Sequence, residues 1–247
     1  MWKMEGDETI STEKENVIVD DIMRQIANQT LKPGTKLPSE YVLVEKYRVP
    51  RMTVRNALMK LEEQGIVYSK QGKGRYLKEE SKHIDLHLTG KISFTDKMKQ
   101  LGYDLTTKNV YCEEIPFDAK IYRILQAVEG DTIFKIGRLR YINGEPVAIH
   151  NSFVSETNFP VIGKDGPAIE SMFAYYRQLG YEEFSSNKTL LSTTFPTVFE
   201  QELLACKSMV PLIVVESNCI DGKSEKVLEY TKILYRSDKF QYDITMD

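Results

Sequence analysis

LPSEYVLVEKYRVPRMTVRNALMKLEEQGIVYSKQGKGRYL, residues 37–77, holds two helix starts and a hairpin in quick succession. Ser39 is a good N-cap for a helix over roughly 40–47, with Glu40 near its positive end. Arg48-Val49 turns the chain, and Pro50 suits the first turn of the next helix, where its missing N–H costs nothing. That helix carries Val54, Ala57, Leu58 and Leu61 at spacings of three and four, and Gly65 ends it. IVYSKQGKGRYL alternates, turns through Gly72-Lys73-Gly74 and alternates again, a β-hairpin pattern.

Working outward, Ile18, Ile22 and Ile26 give residues 17–28 one apolar helical stripe, which Pro33-Gly34 breaks. Three helices and a hairpin predict a winged helix-turn-helix with the third helix as the recognition helix. Its apolar stripe packs inward, leaving Arg51, Met52, Arg55 and Asn56 toward solvent at the end that enters a major groove. An arginine donating two hydrogen bonds to guanine O6 and N7 is worth roughly 1–3 kcal/mol of discrimination. Ser39 and Thr53 suit phosphate, Lys70 and Lys73 flank the hairpin turn, and Gly72 and Gly74 let its backbone approach DNA closely. An ordinary charged surface would also expose an arginine pair. The order of elements and the local charge favour double-stranded DNA as the partner.

That charge is uneven along the 247 residues. Residues 16–78 hold 12 Lys/Arg against 6 Asp/Glu, residues 1–15 hold 2 against 5, and residues 79–247 hold 19 against 25. A basic small segment joined to an acidic larger one predicts a polyanion partner at one end only. The expected division is a disordered extension over 1–15, a DNA-binding domain over 16–78, a linker over 79–90 and a second domain over 91–247. No apolar run reaches the ~20 residues of a membrane span. No signal-peptide core is visible, so the expected compartment is the cytoplasm. Cys112, Cys206 and Cys219 are too scattered for a zinc cluster or disulfide frame, and no metal or cofactor is expected.

In the second domain, TIFKIGRLRYINGEPVAIHNSFV reads as a hairpin around Asn143-Gly144. Arg138 and Arg140 are two apart on its first strand, hence on one face. If that face is inward, two guanidiniums converge and need an anion. Ser93 or Thr95 can cap a helix from about Asp96 to Leu101, whose start also suits an anion. The alternative is two solvated arginines on an edge strand.

The first segment resembles the DNA-binding domain of the GntR family of bacterial transcription regulators, on PGTKLPSE, VPRMTVRNAL, LEEQGIV and QGKGRYL over residues 17–77. The resemblance implies a homodimer on a palindromic operator and carries family roles to Ser39, Arg51, Thr53, Arg55 and Gly72. Three positions depart: Tyr41 where Arg is usual, Pro50 where Ser or Thr is common, and Arg75 where the wing usually has Thr. The second segment resembles the UTRA effector-binding domain of the HutC subfamily over about 84–245. It does so on LTGKISFTDKMKQLG, IGRLRYINGEPVAIHNSFV, SMFAYYRQLG and VLEYTKILYRSDKFQY. This implies an α+β protein: the winged helix-turn-helix followed by a chorismate-lyase-like α/β domain with an antiparallel sheet. It also implies that Thr95, Arg138, Arg140 and Ser171 hold a phosphate while Glu229 and Tyr235 lie toward a sugar. His150 stands where such sensors usually have Glu, and Phe173 where they often have Tyr. The resulting expectation is a DNA-binding regulator, a repressor, under a small anionic effector of sugar-phosphate type. Two rivals are an enzyme turning over a ligand on the lyase-like domain, and a DNA-binding structural protein without ligand. The chain has no HExxH, GxSxG or GxxxxGK[ST] motif, and no catalytic residue is assigned.

Overall fold

A computed structural model describes residues 5–79, 83–86 and 92–243. The chain divides into two units, residues up to 82 with 206–210, and residues 83–205 with 211 onward.

The first unit contains α1 (Glu5–Ala27), α2 (Glu40–Tyr47), α3 (Arg51–Glu63) and a hairpin of β1 (Val67–Lys70) and β2 (Gly74–Leu77). Ser39 caps α2 by accepting from the Val42 N–H. Arg48 then takes a left-handed conformation, its N–H returning to the Val44 carbonyl, and so makes the turn into α3. Gly65, at φ +70°, sits one residue beyond the α3 C-cap, Gln64. Ile18 and Ile22 of α1, Leu43 of α2, Val54, Ala57, Leu58 and Leu61 of α3, and Val67 and Leu77 of the hairpin form one core. Each large side chain buried there is worth about 1.5–3 kcal/mol against exposure.

The expectation of disorder over 1–15 is corrected for residues 5–15, which are the first half of α1. Glu15 is why: it is buried, accepts a hydrogen bond from Asn56 at 2.8 Å and pairs with Lys60 at 2.9 Å, both on α3. Residues 1–4 lie outside the described residues.

The second unit runs β3 (Ile84–Leu86), α4 (Phe94–Gln100), β4 (Leu105–Glu114), α5 (Ala119–Leu125), β5 (Ile133–Ile142) and β6 (Glu145–Ser155). It continues with α6 (Ile162–Asp165), a short 3-10 turn, α7 (Met172–Gln178), β7 (Phe184–Ser185), β8 (Thr189–Thr194), α8 (Val198–Leu204), β9 (Leu212–Asp221), β10 (Val227–Arg236) and β11 (Phe240–Tyr242). Seven strands form an antiparallel sheet in the order β4-β5-β6-β10-β9-β7, with β8 also on β9. Asn143 and Gly144, at φ +52° and +77°, make the tight β5–β6 turn expected of that dipeptide.

The expected linker over 79–90 is also corrected in part. Ile84–Leu86 is a strand paired parallel to β11, because Ile84 and Leu86 both point into the core beside Tyr235 and Phe240 while Asp85 points out. Residues 80–82 and 87–90 of that linker lie outside the described residues.

Candidate DNA-binding face and effector pocket

The first turn of α3 presents Arg51, Met52 and Arg55 to solvent. Arg51 donates from Nε to Glu40 at 2.8 Å, and the other Glu40 oxygen accepts from Arg75 at 3.0 Å. Arg51 first, then Arg75, holds the Glu40 carboxyl below its ordinary range. Arg75 also lies 3.5 Å from Glu62, so one wing arginine ties the start of α2 to the end of α3. Lys70 and Lys73 are exposed beside the turn, and the Lys70 ammonium sits over the Tyr76 ring at 4.6 Å. Gly72, at φ +70°, has open space where a side chain would project. Ser39 lies at the start of α2 with its hydroxyl already engaged as the cap.

Two expected solvent-facing groups are elsewhere. Thr53 is only 3% exposed, since it shares the inner side of α3 with Val54. Asn56 turns back to Glu15.

In the second unit Thr95, Arg138, Arg140, His150, Ser171, Glu229 and Tyr235 all line one cavity of about 180 Å³, with Phe173 beside them. Strand register explains the convergence. Arg138 is the cross-strand partner of His150, and His150 in turn faces Ile233 of β10, the strand carrying Glu229 and Tyr235. Ser93, rather than Thr95, caps α4, which starts two residues before the expected Asp96, and Ser171 caps α7. Strand β5 lies between β4 and β6, and Arg138 and Arg140 are 3% and 2% exposed, so the solvated-edge alternative is excluded.

The two arginines have different partners. Arg138 donates to the Ser152 hydroxyl, which donates to Glu229 at 2.5 Å, while the Tyr176 hydroxyl donates to the other Glu229 oxygen at 2.9 Å. Among the described residues Arg140 donates to neutral oxygens, Thr107 Oγ1 at 2.5 Å and the Glu170 carbonyl at 2.9 Å. Burial, and then the charge of Arg138, lowers the Arg140 pKa to about 9. Burial raises the Glu229 carboxyl against the pull of Arg138. Burial, reinforced by Arg140 and Arg138, pushes His150 well down, which keeps its ring neutral. Among the described residues the Nε atoms of both arginines, His150 Nε2 and Thr95 Oγ1 are buried without a hydrogen-bond partner. A buried donor left in that state costs roughly 1–3 kcal/mol, which an anion with acceptor oxygens would relieve.

Both halves match known families. Residues 14–77 match the bacterial regulatory proteins of the gntR family, and residues 100–241 match the UTRA domain. The chain belongs to the GntR family. Within it, this regulator is 29% identical to the mannosyl-D-glycerate transport/metabolism system repressor MngR of Escherichia coli, over 92% of this chain and 93% of that one. It is 26% identical to the HTH-type transcriptional repressor NagR of Bacillus subtilis, over 93% of each chain. The crystal structure of PhnF from Mycobacterium smegmatis shares the fold at a TM-score of 0.59, with 21% identity over 93% of this chain and 98% of that one. GntR-family membership sets the enzyme reading aside: these relatives, matched almost end to end, are transcription regulators.

Sequence reasoning missed Ser152, Tyr176 and Thr107, which hold the charged groups of the GntR regulator's cavity in place. Ser152 had a signal, being two residues from His150 and so on the same face of β6. Thr107 is the register partner of Arg140 across β4 and β5, which a pairing of those strands would have shown. Tyr176 sits in an ordinary amphipathic helix and carries no such mark.

Proposed function

We propose that this chain is a homodimeric transcriptional repressor that reads a palindromic operator through α3 and the hairpin, and whose DNA affinity is set by a small anion bound in the cavity. The effector class is a sugar phosphate. The carrying observation is Arg140, a buried guanidinium with no acidic hydrogen-bond partner among the described residues, next to Arg138, which reaches the Glu229 carboxylate through Ser152 while Tyr176 also donates to it. A buried cation of this kind calls for an external anion. Both named relatives being repressors, one of them of a mannosyl-D-glycerate transport/metabolism system, supports the direction of control and a sugar-related ligand. A two-fold operator mirrors a two-fold protein, and the work of such a regulator lies in the cytoplasm with the chromosome.

Thermal unfolding against hexose phosphates, phosphonates and carboxylates at millimolar concentration tests the reading. A ligand at ~100 times its dissociation constant stabilises by about 2.7 kcal/mol, several degrees in midpoint. A hit that also changes operator affinity supports it. Stabilisation by neutral sugars alone would remove the anion from the account.

A further inference from the structure

The outward side of α3 carries a group that contacts through arginine leave unused. Thr53, Val54, Ala57, Leu58 and Leu61 are the buried residues of this helix. At about 100° per residue, Met52 falls on the side opposite the middle of that set, between Arg55 and Asn56 around the helix. Met52 is 62% exposed, and Met59, seven residues on along nearly the same line, is 49% exposed. Asn56, the polar neighbour on the far side from Arg55, is held by Glu15 of α1.

A single exposed methionine elsewhere on a surface calls for no explanation. Met52 stands in the first turn, at the end that enters a major groove, with Arg51 and Arg55 exposed beside it. The arginines bring hydrogen-bond donors to that groove. Met52 brings none, since a thioether has no N–H or O–H and accepts only weakly. Set against the edge of a G·C pair, it would displace water from polar groups and give nothing in return. The apolar group that the major groove presents is the C5-methyl of thymine. On that methyl an unbranched, adaptable side chain buries apolar surface of both partners.

We propose that Met52 selects a thymine in each operator half-site by packing on its C5-methyl group. The assignment rests on α3 being the recognition helix, as read above.

Duplexes selected by the full chain from a random pool supply the site for the test. Each thymine is then replaced in turn by deoxyuridine, which lacks only the methyl. Competition titrations compare the parent with M52A, M59A and R55A. One deoxyuridine position in each half-site should weaken the parent by about fourfold, the equivalent of one buried methyl group. M52A should bind the thymine and deoxyuridine duplexes alike. M59A should respond as the parent does, because Met59 stands two turns further from the inserted end. A parent indifferent to every deoxyuridine overturns the proposal, as does an M52A protein with the parental response or an M59A protein without it. If R55A loses its preference for the selected site while no deoxyuridine affects the parent, α3 remains the recognition helix and this inference alone falls. If R55A keeps that preference and M52A keeps the methyl response, or if no duplex is selected, both fall.

Discussion

At the residue scale the DNA-binding face separates side chains that can read bases from those that can only grip the backbone. Arg51 and Arg55 stand at the start of α3, and Arg51 pairs with Glu40. Replacing Arg55 with Ala should cost roughly 1–3 kcal/mol of discrimination between the operator and a scrambled duplex. Lys73→Ala should weaken binding to both duplexes alike and lower the slope of log affinity against log salt by about one. Competition titrations at several salt concentrations distinguish the two. An Arg55→Ala protein with the parental operator preference would take α3 out of the recognition role. Thr53 shows how a residue-level reading goes astray: its position one before Val54 puts it on the packed side, and burial outranks its suitability for phosphate.

At the scale of elements, two contacts carry much of the architecture. Asp21 of α1 accepts from Lys46 at 2.8 Å and from Tyr47 at 2.5 Å on α2, and these bonds, Lys46 first, hold its pKa below the ordinary value. A lowered folded pKa contributes stability that is present above the unfolded pKa and fades as pH falls through the folded one. Asp21→Asn should therefore lower stability at pH 7 by about 1 kcal/mol. That difference should shrink as pH drops below about 4, which urea unfolding of both proteins at several pH values would reveal. A gap independent of pH would mean that packing, not the charge, joins α1 to α2. Gly137, in the middle of β5, has the Tyr111 ring lying where a Cβ would be. Gly137→Ala should then destabilise by about 1–3 kcal/mol through overpacking, and Tyr111→Ala should recover part of that loss in the double variant. Additive losses would show that the ring does not depend on the missing side chain. The helices of the first unit and the Asn143-Gly144 hairpin were legible because their signals are local: caps, breakers and a three-to-four spacing. The early start of α1 was not, because the partners of Glu15 lie 41 and 45 positions along, on α3. Likewise the β3–β11 pair joins segments at opposite ends of the second unit, and no neighbouring residue announces it.

For the whole molecule, sensing and DNA binding are coupled only if the effector binds the DNA-bound and DNA-free forms with different affinity. Linkage then requires that the factor by which effector changes operator affinity equal the factor by which operator changes effector affinity. Arg140 is the residue on which to test this. Removing Arg138 would strand the buried Glu229, whereas the partners of Arg140 are a hydroxyl and a carbonyl, so its loss leaves no charge unopposed. Arg140→Met also removes a desolvated cation and replaces it with an apolar chain of similar length, an exchange that is often neutral or stabilising. The variant should thus unfold at or above the parental temperature without effector and bind operator as the parent does. It should lose both coupling factors together. These values come from titrating operator with and without effector, and effector with and without operator, on each protein. A variant that stays folded, binds DNA and keeps the parental coupling would show that the anion acts at some site other than this pair of arginines. A variant that is markedly less stable would show instead that Arg140 is satisfied within the chain, and that its buried charge is structural rather than a vacancy for a ligand.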